Sequence, residues 1–147
     1  MYWLYILGKE IEPKDRRGTY LLLILFIAVI SNTSYYLVAG PRFLGMSGVI
    51  YGLVGYIWAR DTFEISSPYR MDESIVKFFV IWSFFCWALT AFHILGVANT
   101  VHGMGAVAGI LFGLILAKKQ NQRSRLGLRF PEPVRQQLFV LGALGGG

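Results

Sequence analysis

The feature that most constrains this chain is its division into apolar blocks of roughly 18–21 residues, the length a helix needs to cross roughly 30 Å of hydrocarbon. Charged segments at 9–18, 60–74 and from 118 onward separate the blocks. In hydrocarbon every backbone N–H and C=O must be paired within the protein, so blocks of this length span as helices. A composition of 55% hydrophobic, 16% aromatic and only 15% charged residues fits that class and not an ordinary soluble domain. The expected fold is all-α: a polytopic membrane helix bundle with four full or near-full membrane helices and an N-terminal half-helix. Residues 1–118 would form the membrane domain and residues 119–147 a basic tail.

The net charge of +6 invites a nucleic-acid partner, but its distribution argues against one. Of the 14 Lys and Arg residues, all except Arg42 fall in alternate polar segments, from Lys9 to Arg17, from Arg60 to Lys77, and from Lys118 onward. Alternate loops of a serpentine chain share one side of the membrane, and an excess of Lys and Arg marks that side as cytoplasmic. The basicity therefore reports topology, with the C-terminus cytoplasmic. The acidic residues Glu10, Glu12, Asp15, Asp61, Glu64, Asp72, Glu73 and Glu132 map to the same side.

Taken in order, residues 1–8 read as the last turns of a helix that stops at Gly8. They lack the basic leader and the length of a cleavable signal peptide. A helix from Thr19 or Tyr20 to about Leu37 follows, and its outer half carries Ser31, Asn32, Thr33 and Ser34 for bonds to other helices. Gly40-Pro41 marks the outer turn. The next helix begins near Ser47 and is expected to end near Ala59, because Arg60-Asp61 cannot stay in hydrocarbon. Thirteen residues cover about 20 Å, roughly 10 Å less than the hydrocarbon thickness. The loop before Ser47 must then dip inward, which implies a recessed, hydrated pocket at the serine. Ile75 to about Ile94 forms an aromatic-rich helix, and Val101 to Ala117 the last one. The tail is weakly amphipathic over Pro133–Leu144. Cys86, the single cysteine, has no disulfide partner and no metal-ligand company.

Two helices carry the chemistry. At 100° per residue, His102, Gly105, Gly109 and Gly113 share an arc of about 80°. Ser47, Gly48, Tyr51, Gly52 and Gly55 span about 140° on the earlier helix. Small residues every four positions let helix backbones approach closely in lipid. Packing these faces together would bring a nucleophile, Ser47, within hydrogen-bonding reach of a base, His102. His93 is a competing base at the outer end of the aromatic helix. With the carboxylates on the other side of the membrane, a Ser-His-Asp triad is excluded and a dyad remains. No pattern suggests a metal, nucleotide or other cofactor.

The run Gly45-Met46-Ser47-Gly48-Val49-Ile50-Tyr51-Gly52-Leu53-Val54-Gly55-Tyr56 resembles the serine-bearing helix of the rhomboid intramembrane serine proteases. Ala98-Asn99-Thr100-Val101-His102, followed by Gly105 and Gly109, is similar to that family's histidine-bearing helix. The resemblance implies a serine endopeptidase, without cofactors, that cuts transmembrane protein substrates in the lipid bilayer near the outer face. The setting would be a bacterial inner membrane. The resemblance also implies that Tyr51 stacks on the imidazole, that Gly45, Gly48, Gly105 and Gly109 serve packing, and that the aromatic-rich helix gates substrate entry through Trp82. It places Met1 just after the family's His-x-x-x-Asn oxyanion motif, so the first helix, its loop and that motif are expected upstream, and this chain alone is expected to cleave poorly or not at all. The alternatives are a non-proteolytic rhomboid-like protein that binds transmembrane helices, and a transporter fragment. The transporter reading lacks an intramembrane charge to mark an ion path.

Overall fold

The computed structural model describes residues 2–40, 45–92 and 99–127. Every regular element among them is helical: α1 (Tyr2–Ile11), α2 (Arg17–Ala39), α3 (Ser47–Phe63), α4 (Glu73–Ala91) and α5 (Asn99–Arg125). By length and hydropathy α2, α4 and α5 can each cross a membrane. The expected all-α, multi-pass bundle with an N-terminal half-helix is what the chain forms. His93, Arg42 and the 133–144 stretch lie outside the described residues.

The centre of the bundle is α3. Its buried residues run from Gly48 to Arg60 and include Leu53, Tyr56 and Ile57, which leave no polar face. A helix apolar all round is one enclosed by others. α5 covers α3 most extensively and α2 next, while α1 also touches α3. α4 sits at the edge. Only Phe79 and Cys86 are buried on it, whereas Ile81, Phe84 and Trp87 are 67%, 70% and 65% exposed. Such aromatic exposure suits a lipid-facing helix. Its start is fixed by Asp72, whose carboxylate accepts the Ser74 N–H at 2.8 Å as an N-cap. That bond holds the Asp72 carboxyl below its ordinary pKa.

Three boundaries differ from the sequence expectation. Gly8 does not stop α1, which continues to Ile11. Gly8 instead makes room, because a Cβ there would lie 2.7 Å from the Tyr20 hydroxyl. α3 does not end at Ala59 but runs to Phe63, so its 17 residues cover about 26 Å. The last helix does not end at Ala117: α5 continues to Arg125 and gives way at Gly127, where φ is +69°.

The extension of α3 has a chemical reason. Arg60 is 6% exposed, yet it is enclosed by protein and not by lipid. Its Nε donates to Glu64, and its Nη1 donates to the Tyr56 hydroxyl at 2.6 Å. The Asp15 carboxylate lies 3.6 Å from Nη1. Asp15 also accepts the hydroxyls of Tyr56 and of Tyr69, the latter at 2.8 Å. A buried charge survives when it is paired and hydrogen-bonded, and this one has both. The cluster ties the turn after α1, the last turns of α3 and the 64–72 segment into one basic end of the bundle.

Tyr69 is fully buried there. Burial first, then the neighbouring Tyr56 and Asp15, raise its phenol pKa above the ordinary 10.0. Raising a folded-state pKa stabilises the fold fully below the unfolded pKa, and the contribution is lost at higher pH. Unfolding stability is therefore expected to drop as pH rises above about 10. Tyr69→Phe should shrink that drop. The check is thermal unfolding in detergent as a function of pH; identical alkaline profiles for the two proteins would contradict it.

Candidate active site at the α3–α5 crossing

Where α3 and α5 cross, glycine meets backbone. A Cβ on Gly105 would fall inside contact distance of the Gly48 carbonyl, and one on Gly109 inside that of the Gly52 carbonyl. A Cβ on Gly55 would lie 2.7 Å from the Ala106 carbonyl, and one on Gly113 2.9 Å from the Tyr56 carbonyl. The two predicted glycine faces are thus the faces that pack. By contrast, a Cβ on Gly103 meets nothing within 4 Å.

Ser47 is the first residue of α3, and His102 lies one turn before Gly105 in α5. Both are half-buried and flank the same end of the crossing. Tyr51, one turn into α3, lies parallel to His102 with ring centroids 4.5 Å apart and planes at 17°. Among the described residues no hydrogen bond joins Ser47 to His102, and the buried Nδ1 of His102 has no partner. Tyr51 is itself held by α4: its hydroxyl accepts from Ser83 Oγ at 3.2 Å and lies 3.5 Å from the Phe79 carbonyl. Below it, α3, α4 and α5 line an open apolar recess of about 180 Å³ that includes Val54, Trp58, Phe79 and Ile110.

The approach to Ser47 is pinned by a residue whose task the sequence did not reveal. Asn32 on α2 donates to the Ala28 carbonyl at 2.8 Å, and its Oδ1 accepts the Gly45 N–H at 3.1 Å. Of the four polar residues Ser31, Asn32, Thr33 and Ser34, Asn32 is the one with a hydrogen bond to another segment among the described residues. Ser31 and Ser34 bond carbonyls of their own helix, and Thr33 is exposed. Asn99 similarly ties α5 to α4, donating to Thr90 Oγ1 at 3.0 Å. Among the described residues no side chain caps the start of α3, where the first N–H groups of a helix have no intrahelical partner.

The aromatic expected to gate substrate entry lies on the outer part of the α4 surface. Trp82 stacks on Phe78 of its own helix, 6.1 Å between centroids, and is 46% exposed. The side chains that close the α1–α4 seam are Phe78 and Phe79, at 5.4 Å and 5.1 Å from Trp3. Periodicity could mark α4 as aromatic, but not which ring faces α1.

A half-helix, three apolar spans and a glycine-packed central helix with serine at its mouth define a multi-pass membrane protein of one recognisable architecture. The chain belongs to the rhomboid family: the Rhomboid domain model matches residues 1–119. It is 36% identical over 121 residues to rhomboid protease GlpG of Pectobacterium atrosepticum, covering 80% of this chain and 40% of that protein. It is 32% identical over 125 residues to a rhomboid protease GlpG homolog of Cronobacter sakazakii, covering 85% of this chain and 43% of the relative. Klebsiella pneumoniae rhomboid protease GlpG is 29% identical over 119 residues, covering 80% and 40%. The chain therefore spans about two-fifths of the length of these curated relatives.

Proposed function

We propose that this chain carries the catalytic dyad of an intramembrane serine endopeptidase, with Ser47 as nucleophile and His102 as general base. The observation that carries the reading is the glycine-to-backbone crossing, which sets both residues at one end of the α3–α5 contact with Tyr51 stacked on the imidazole. His102 would take the Ser47 hydroxyl proton as Oγ attacks the scissile carbonyl, then return it to the departing amine. Stacking on Tyr51 fixes the ring plane in place of a carboxylate. The uncapped N–H groups at the start of α3 would face the developing oxyanion, helped by the helix dipole. Hydrogen bonds of this kind often form fully only with substrate bound.

The substrates on this reading are transmembrane proteins cut near the outer face of a bacterial inner membrane, with the basic end of the bundle in the cytoplasm. The apolar recess beside Tyr51 offers room for a substrate side chain. The second reading, a rhomboid-like protein that binds transmembrane helices without cutting them, is favoured by the missing Ser47–His102 bond. A fluorophosphonate probe added to membranes holding the chain decides between them. A covalent adduct on Ser47, absent in Ser47→Ala, is the expected result. A folded, membrane-inserted chain that never labels would overturn the proposal in favour of the second reading.

A further inference from the structure

Away from the crossing, α5 carries Val107, Leu111, Ile115, Lys119 and Arg123 at every fourth position. That spacing makes each the neighbour of the next, along an inclined ridge that winds about 160° round the helix from Val107 to Arg123. The first three are 48%, 51% and 65% exposed, and the last two are exposed cations. An exposed ridge that is apolar and then turns cationic matches the profile of a phospholipid, chains first and headgroup last.

Beside that cationic end lies the start of α2, whose N-cap is Arg16, with no side-chain cap and no acidic residue in its first turn. A cation at the positive end of a helix dipole is unfavourable unless an anion offsets it. Between the two helices is an open cavity of about 510 Å³ whose cationic lining is Lys14, Arg16, Arg60, Lys119 and Arg123, with Thr19 and Leu116 at its apolar side. Asp15 also lines it, but Arg60 and two tyrosine hydroxyls already engage that carboxylate. Lys14 pairs with Glu10 and Arg60 with Glu64. Arg16 and Lys119 have no ion-pair partner among the described residues, so the cavity keeps uncompensated positive charge. Deeper in the seam, Phe26 packs on Phe112 with centroids 5.5 Å apart, which leaves the exposed ridge of α5 as the way out for acyl chains.

We propose that this cavity binds the phosphodiester headgroup of an anionic phospholipid, with an acyl chain lying along Ile115, Leu111 and Val107. The inference needs only the membrane bundle and is independent of the proteolytic reading. Basic pockets between membrane helices are suited to such headgroups, and each Lys or Arg near the surface contributes to the attraction.

The test uses the full chain purified in maltoside micelles and titrated with dioleoylphosphatidylglycerol or dioleoylphosphatidylcholine, followed by native mass spectrometry and by thermal unfolding. The anionic lipid should be retained and should raise the unfolding temperature, and the zwitterionic lipid should do neither. Arg16→Gln with Lys119→Gln should weaken retention of the anionic lipid roughly thirtyfold. The exposed pair Arg70→Gln with Lys77→Gln, which alters the charge by the same amount elsewhere, should leave it unchanged. Equal retention of the two lipids, or equal losses in the two double variants, would overturn the site. Glycerol phosphate added alone should not stabilise the chain; stabilisation as large as the anionic lipid's would assign the cavity to a free anion and overturn the lipid proposal. Because the lipid comparison is made on the unaltered chain, it stands even if the variants fold poorly.

Discussion

Gly109→Leu should abolish probe labelling at Ser47 and lower the unfolding temperature in detergent. The Gly109 Cα faces the Gly52 carbonyl so closely that even a methyl group would overlap it. What must yield is the backbone of the central helix, which cannot swing aside as a flexible side chain can. Overpacking a core commonly costs about 1–3 kcal/mol, and a rigid backbone partner puts this case at or above the upper figure. The displacement would also carry His102 away from Ser47, and about 1 Å of misplacement can cost on the order of a hundredfold in rate. Gly103→Ala is the control, since its Cβ would enter open space; within a helix it should leave stability unchanged or raise it by up to about 1 kcal/mol. If both variants melt and label like the parent, the crossing is not where stability and chemistry meet.

His102→Ala should separate activity from stability. Removing a general base costs about 10²–10⁴ in rate, so labelling and any cleavage should fall by that order. The fold should barely notice. The stacked Tyr51–His102 pair contributes about 0.5–1.5 kcal/mol beyond area burial, but the buried Nδ1 lacks a partner, and an unsatisfied polar atom costs about 1–3 kcal/mol. These terms oppose each other and nearly cancel. An unfolding temperature equal to or above the parent's, with labelling lost, is the expected pair of results. A large drop in stability with labelling intact would reverse the assignment and make His102 a packing residue.

How much of this was legible beforehand depended on the kind of signal. Apolar blocks and glycine spacing are local and periodic, so the bundle and the paired faces of α3 and α5 could be read directly. Tyr51 and His102 stack because they lie on those faces, and Ser47 begins the same helix one turn before Tyr51. What escaped was everything set by partners distant in sequence. Arg60 looked like a helix terminator because a lone charge does not stay in lipid; Asp15, Glu64 and Tyr69, which make it tolerable, come from three separate segments. Asn32 was visible as a polar residue in an apolar helix, but its bond to the Gly45 N–H depends on a partner 13 residues away on another segment. Gly8 carries the same letter as a helix stop and as a contact point, and only the nearness of Tyr20 distinguishes the two.

The buried Arg60 cluster has a consequence for biosynthesis. Hydropathy and length qualify α2, α4 and α5 as spans by themselves, but not α3. An Arg or Asp at the centre of an inserting helix costs about 2.5–3.5 kcal/mol on the translocon scale, and although Arg60 and Asp61 lie near the end of α3, glycines in place of leucines leave little to offset even a reduced penalty. The side chains that neutralise Arg60 and cover those glycines include Asp15, Ile27 and Ser31, which precede α3 in the chain. Insertion of α3 is then expected to be a joint event: the helix that bears the serine should partition into the bilayer in the company of α2 and the turn before it, companions that the order of synthesis delivers first.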